Sequence, residues 1–178
     1  MRAFFLFKAR FIIKSADNLI MNIKEDFRLA LRELVYPVCV VSAYNDKTNE
    51  NHAITVSSVT SLSFDPPSIL VCINRSSSIH ASLKKDSHFN ISFLSSLQSE
   101  ISNICGIDEF SDKRFDNDFW DFKNNVGFIK DSQSVISCIT EEIISYGSHS
   151  VFIGNVIEVI KNSNTRPLLY GKGKYLEI

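Results

Sequence analysis

The sequence predicts a mainly β fold, an antiparallel barrel with peripheral helices, and three observations lead there. Short runs rich in Val, Ile, Leu and Phe recur along the chain, separated by polar turns, with few helical stretches between them. Neither a GxGxxG fingerprint between a strand and a helix nor a Walker loop occurs, so a doubly wound dinucleotide fold has no support. The 178 residues, 44% hydrophobic and 22% charged, suit one globular domain with a sizeable core.

The elements follow in order. Ile23, Phe27, Ala30, Leu31 and Leu34 recur at helical spacing, with Asn22 as N-cap and Pro37 preventing continuation. Val38 to Ala43 is a β-branched run closed by the polar stretch Asn45 to Asn49, a strand and its turn. Ala53 to Ser58 reads as the next strand, and Ser68 to Ile73, introduced by Asp65-Pro66-Pro67, as another. A short helix is expected over Ile79 to Leu83, a strand over His88 to Phe93 and a helix over Gln98 to Cys105. Phe110 to Trp120 lacks periodicity and reads as a long loop with a helical turn or two. Strands are expected over Val135 to Ser145, Ser150 to Ile160 and Leu168 to Ile178. Val151 to Ile160 is apolar on both faces, as for a strand between the barrel interior and a helix or partner subunit.

Charge and composition exclude several classes. A formal net charge of −1 gives no electrostatic footprint for nucleic acid or an acidic membrane, so any bound anion needs a local site. Cys39, Cys72, Cys105 and Cys138 lie far apart, and His52, His80, His88 and His149 are dispersed, so no metal site is expected. Cys39, Cys72 and Cys138 sit in apolar runs and read as reduced core thiols of a cytoplasmic protein.

Residues 1–21 read as an extension outside the core, with Met21 as an alternative start and 22–178 as the domain. Lys8 and Arg10 interrupt the early apolar run well short of the roughly 18–20 residues a membrane span needs. A secretory signal does not fit either, although the basic, acid-poor composition is also that of an organelle transit peptide.

The chemistry concentrates in two hydroxyl-rich runs. Thr55 to Ser63 places six hydroxyls in nine residues, and Asn74-Arg75-Ser76-Ser77-Ser78 follows the strand ending at Ile73. Either run alone reads as turns and caps. Two of them flanking one buried strand point to an anion-carrying ligand. Hydroxyls and backbone N–H groups would line a polar ring edge or phosphate, with an arginine fork and a helix start beside them.

The stretch from Ala53 through Thr55-Val56-Ser57-Ser58-Val59-Thr60-Ser61 to Asn74-Arg75-Ser76-Ser77 resembles the signature of the short-chain flavin reductases. These are FMN-binding split-barrel proteins, often the reductase partners of two-component flavin monooxygenases. The resemblance continues through Lys113-Arg114-Phe115, Gly147 to Val156 and Pro167 to Tyr175, in consistent order over about residues 22–178. It implies an antiparallel split barrel and hydride transfer from NADH or NADPH to FMN or FAD. It also implies a homodimer and an oxygenase that receives the reduced flavin.

By the same resemblance Thr55, Ser57, Ser58, Thr60 and Ser61 hold the isoalloxazine and ribityl chain, and Asn74, Arg75, Ser76 and Ser77 the ribityl-phosphate. His80 lies near the phosphate end, Phe115 and Tyr170 near the ring, and His149 faces the nicotinamide. Phe115 or Phe119 would shield the ring from water, with core packing as the plainer role for both and for Trp120. The family's usual aspartate before that histidine is Ser148 here, which removes a carboxylate that would favour imidazolium, and a common alanine is Val56. Two other readings share the pocket or the fold: a flavin carrier without turnover, and a structural barrel whose serine runs are turns.

Overall fold

The structure, a computed structural model, describes residues 22–176. The expected extension over 1–21 therefore lies outside the described residues, as do the last two. The described part falls into two compact units, the segment up to Val35 with Gly171–Lys174, and Tyr36–Tyr170 with the segment from Tyr175.

In the first unit, helix α1 spans residues 22–32, with Asn22 already helical. Within that unit the Lys172 N–H donates to the Arg32 carbonyl at 2.8 Å.

The second unit is built on strands. β1 is Tyr36–Pro37, β2 Cys39–Asn45, β3 Glu50–Val56, β4 Val59–Phe64, β5 Pro67–Asn74 and β6 His88–Phe93. Helix α2 is Ser99–Gly106, β7 is Trp120–Lys123 and β8 is Val126–Ile129. The long strands β9, Ser134–Tyr146, and β10, His149–Lys161, precede the short β11, Leu169–Gly171, and β12, Lys174–Leu176.

The main sheet has seven strands in the order β3-β2-β6-β9-β10-β5-β4, and every pairing recorded within it is antiparallel. Its two outermost strands, β3 and β4, are consecutive in sequence and joined only through Ser57 and Ser58. So short a link spans roughly 10 Å at most, so the ends of the sheet must meet and the sheet curls into a barrel. The closure is pinned by the Cys72 N–H donating to the Ser58 carbonyl at 3.3 Å and the Ser58 hydroxyl donating to the Cys72 carbonyl at 2.9 Å.

Two apolar clusters explain the sequence pattern. Cys39, Val41 and Ala43 of β2 point into the barrel with Val71, Ile73, Phe89, Ile91 and Phe152. Val38 and Val40 instead join Leu94, Ile101, Cys105, Trp120 and Leu168 on the outer side. A strand buried on both faces reads as a continuous apolar run, which is why Val38 to Ala43 does not alternate. Cys39, Cys105 and Cys138 are buried free thiols whose pKa burial pushes up to about 12. Cys72, expected in the core, is only half-buried.

Four elements differ from the sequence expectation. The strand expected over Ala53 to Ser58 runs from Glu50 to Val56, and the serine-rich run beyond it forms the edge strand β4. The helix expected over Ile79 to Leu83 is a four-residue 3-10 turn, Ser78–Ala81. The aromatic loop contains the expected helical turn, Asp108–Lys113, but then enters a hairpin, β7–β8. Asn124 and Asn125 both take positive φ, 52° and 66°, as a two-residue hairpin turn requires. The expected last strand is a second hairpin turning at Lys172 and Gly173, φ 53° and 78°.

Candidate active site

The site expected from the sequence gathers at one end of β5. Val59 pairs with Val71, so the Ser57-Ser58 link lies beside Cys72 to Asn74, and the Asn74 to Ser77 turn leaves directly from there. On the other side of β5, His149 pairs with Asn74, and the Arg75 N–H donates to the Ser148 carbonyl at 2.9 Å. Thr55–Ser58, Asn74–Ser77 and His149 thus converge although up to 94 residues separate them in sequence.

The turn is tightly self-bonded. The Ser76 N–H and hydroxyl each lie 3.0 Å from Asn74 Oδ1, and the Ser77 N–H and hydroxyl reach the Asn74 carbonyl at 3.1 and 2.7 Å. The backbone N–H groups of Arg75, Ser76 and Ser77 are therefore already used, and only a four-residue 3-10 turn, Ser78–Ala81, begins behind them. That corrects the expectation of free backbone donors and a helix end at the phosphate. What the turn offers is the exposed Arg75 guanidinium and the outward side of its hydroxyls.

His80 Nε2 lies 3.0 Å from Ser150 Oγ, which lies 3.2 Å from Ser145 Oγ, and its ring stands edge-on to Phe152 at 5.3 Å. Burial lowers its pKa below the ordinary histidine value, and the Arg75 charge adds to the shift. His149 is exposed, with Nδ1 2.9 Å from Ser148 Oγ. The hydroxyl thus gives the ring a neutral orienting partner in place of a carboxylate.

A cavity of about 320 Å³ opens beside the β3 end of this assembly, lined by Thr55, Ser57, Ser102, Asn103, Tyr170 and Tyr175 among others. The Thr55 hydroxyl donates to the Ser102 carbonyl at 2.6 Å. The Tyr175 hydroxyl lies within reach of Ser102 Oγ at 2.9 Å and Asn103 Oδ1 at 2.8 Å. Tyr170 meets Tyr175 edge-to-face at 5.6 Å. Neutral hydroxyls and an amide on one side and two aromatic rings on the other suit a planar ring with a polar edge. Ser102, Asn103 and Tyr175 were not singled out from the sequence. No local pattern marks them, since α2 carries Ser99 and Glu100 as well and Tyr175 lies on the last strand.

The other expected residues lie elsewhere. Thr60 and Ser61 stand exposed on β4 and line neither this cavity nor the next. Phe115 packs on Trp120 at 4.3 Å and lines a second cavity of about 450 Å³, together with Ser78, His52 and Arg114. Phe119 packs against the outer apolar cluster. Arg114, also not singled out, is buried and donates to the Ala53 carbonyl at 3.0 Å and the Ile107 carbonyl at 3.4 Å, tying β3 to the 3-10 segment. Among the described residues no group of three or more His, Cys, Asp or Glu could hold a metal.

The barrel recurs in solved structures. The NADH:FAD oxidoreductase of Streptomyces globisporus C-1027, solved in complex with NAD and FAD fragments, superposes with a TM-score of 0.79 over 87% of this chain and 92% of its own, at 21% identity. That likeness defines the class, an antiparallel split barrel. A family model described as "Flavin reductase like domain" matches residues 31–178, and the chain belongs to that family. The reductase component of the FADH(2)-dependent resorcinol hydroxylase of Rhizobium sp. (strain MTP-10005) is 32% identical over 86% of this chain and 87% of that protein. The NADH:riboflavin 5'-phosphate oxidoreductase of Streptomyces pristinaespiralis is 30% identical over 82% of each.

Proposed function

We propose that this protein is an NAD(P)H:flavin oxidoreductase that reduces FMN or FAD and passes the reduced flavin to a partner oxygenase. The observation that carries the reading is the convergence of Thr55–Ser58 and Asn74–Ser77 at one end of β5, beside a cavity walled by two tyrosines. The names of the relatives support it, since they include an NADH:flavin-phosphate oxidoreductase and a hydroxylase reductase component.

A bound flavin supplies the acceptor for the nicotinamide hydride, chemistry that requires no acid or base from the protein. The protein's share is binding and orientation. Thr55, Ser57, Ser58 and Asn103 meet the polar edge of the ring, and Tyr170 and Tyr175 bound its apolar part. Arg75, with Asn74, Ser76 and Ser77, holds the phosphate. His80 stands behind that turn, and the hydroxyl of buried Ser150, itself 3.2 Å from Ser145 Oγ, fixes its ring. His149, oriented by Ser148, positions the nicotinamide above the site.

The protein acts as a homodimer in the cytoplasm. Ile143, Ile144, Ile157, Val159 and Ile160 leave apolar surface exposed along β9 and β10, which a second copy would cover. Four unpaired cysteines suit a reducing compartment, which cell fractionation checks. Among the described residues no helix is long and apolar enough to cross a membrane.

The test is steady-state oxidation of NADH and NADPH with each flavin, in the native protein and in Arg75→Ala and Ser58→Ala. Losing a charge-assisted bond to phosphate, about 1.5–3 kcal/mol, raises the flavin KM roughly 10- to 100-fold in Arg75→Ala. Ser58→Ala gives a smaller rise. Flavin KM unchanged in both variants rejects the site.

A further inference from the structure

Tyr146 leaves 85% of its surface exposed beside the site, and the flavin reading gives it no part. Its place is fixed by strand register. Tyr146 ends β9 and pairs with His149, the first residue of β10, across the two-residue link Gly147-Ser148. Gly147 takes a φ of 55°, as the first position of so tight a turn requires. On its other side His149 pairs with Asn74, at the end of β5.

Residues directly opposite one another in antiparallel strands share a face, so these three side chains form one row across β9, β10 and β5. Ser145, Ser150 and Ile73, one residue along, share the other face, where Ser150 and Ile73 are fully buried. The row Tyr146–His149–Asn74 therefore looks outward.

The row suits one kind of ring. Neighbouring strands lie roughly 4.8 Å apart, so it spans roughly 10 Å, enough for a nicotinamide and its ribose. Among the described residues the Tyr146 ring makes no ring contact and its hydroxyl no hydrogen bond, so its face is open. His149 is held beside it by Ser148 Oγ, 2.9 Å from Nδ1. Asn74 Oδ1 is taken by the Ser76 N–H and hydroxyl at 3.0 Å, which leaves the Asn74 amide N–H groups for an acceptor such as a carboxamide oxygen. The row carries no carboxylate and no lysine or arginine, as a neutral dihydronicotinamide requires. One row further in on the same face stand Ile144, Val151 and Cys72. The Ser58 hydroxyl bonds the Cys72 carbonyl at 2.9 Å. The edge assigned to the flavin ring thus begins about 7 Å along β5 from Asn74.

We infer that Tyr146 is a donor-binding residue, its ring lying against the dihydronicotinamide while His149 and Asn74 meet the carboxamide side. The inference rests on the flavin reading and extends it to a residue that the hydride donor alone touches. Stacking orients a planar ring without charge, and orientation is the protein's share in hydride transfer.

The test uses the full chain with Tyr146→Ala, which removes the ring, and Tyr146→Phe, which keeps it. Anaerobic single-turnover mixing of the FMN-loaded protein with NADH gives the donor Kd and the limiting rate of flavin bleaching separately. Reduced nicotinamide mononucleotide, which lacks the adenosine, repeats the measurement. Fluorescence quenching gives the FMN Kd, and sedimentation velocity the assembly state. The expected result is a rise of about 3- to 10-fold in the donor Kd of Tyr146→Ala, equal for NADH and the mononucleotide, with native values in Tyr146→Phe. FMN binding and assembly stay native in both, which also shows that the variants are folded.

A native donor Kd in Tyr146→Ala overturns the inference while the flavin reading stands. A rise for NADH that the mononucleotide lacks moves the ring to the adenosine end and overturns it too. The same rise in Tyr146→Phe puts the contact on the hydroxyl and overturns the stacking. An equal loss of FMN binding, or a shift toward the monomer, gives Tyr146 a structural place instead of a donor contact. A native protein that binds FMN and leaves NADH intact contradicts the reductase reading, and the donor site with it.

Discussion

Arg75 and His80 work as a pair. His80 is pressed by burial and by the Arg75 charge toward its neutral form, so its pKa in the folded protein lies below its ordinary value. The unfolded chain then binds the proton more readily, and stability depends on pH with a definite sign. The histidine's contribution is complete above the ordinary value of 6.5 and is lost as the pH falls from there through the lowered folded value. Urea unfolding from pH 8 to 5 should show stability falling below that point, with a smaller fall in Arg75→Ala. An identical profile in His80→Gln removes this histidine as the cause. Serine and arginine types pointed in the sequence to an anion-carrying ligand, with the Asn74–Ser77 turn as its expected place. The donors were not legible, because Asn74 engages the turn's N–H groups through its own side chain and carbonyl. Ser102 and Tyr175 were invisible for another reason: they meet through packing of α2 against a segment 73 residues away in sequence.

Among the elements, β3 and β4 matter most, since the two-residue link between them both closes the barrel and delivers Ser57 and Ser58 to the site. The long strand β10 depends on a single small residue. A Cβ on Gly154 would stand 2.5 Å from the Phe89 ring and 2.9 Å from Cys138 Cβ, and Phe89 is fully buried and cannot retreat. Gly154→Ala should therefore cost about 1–3 kcal/mol, read as a lower urea midpoint at unchanged slope. A wild-type midpoint would show that the strands separate more easily than their packing implies. Strongly apolar strands such as Val38 to Ala43 were legible because burial on both faces leaves a continuous pattern. The edge strand β4 was not, because hydroxyls on an exposed edge look like a turn. The β7–β8 hairpin was hidden by aromatic residues without alternation, although Asn124-Asn125 is the dipeptide that could have marked its turn.

For the whole molecule, the proposed dimer would cover the apolar residues left open on β9 and β10. Sedimentation velocity at micromolar concentration should give twice the chain mass of 20.2 kDa, and Ile144→Glu with Ile157→Glu should shift it toward the monomer. A native protein sedimenting as a monomer contradicts that assembly. Fold class was the most legible level, because antiparallel closure follows from many short strands with few helices. The second cavity was the least, since it arises where β3, the 3-10 segment and the β7–β8 hairpin meet, three segments with no shared motif. The most direct measurement mixes NADH with an equal amount of FMN and a trace of the protein, without oxygen. The account expects NADH absorbance to fall one-for-one with bleaching of the flavin. Quenched FMN fluorescence with NADH left intact would instead mark a carrier that binds flavin and does not reduce it.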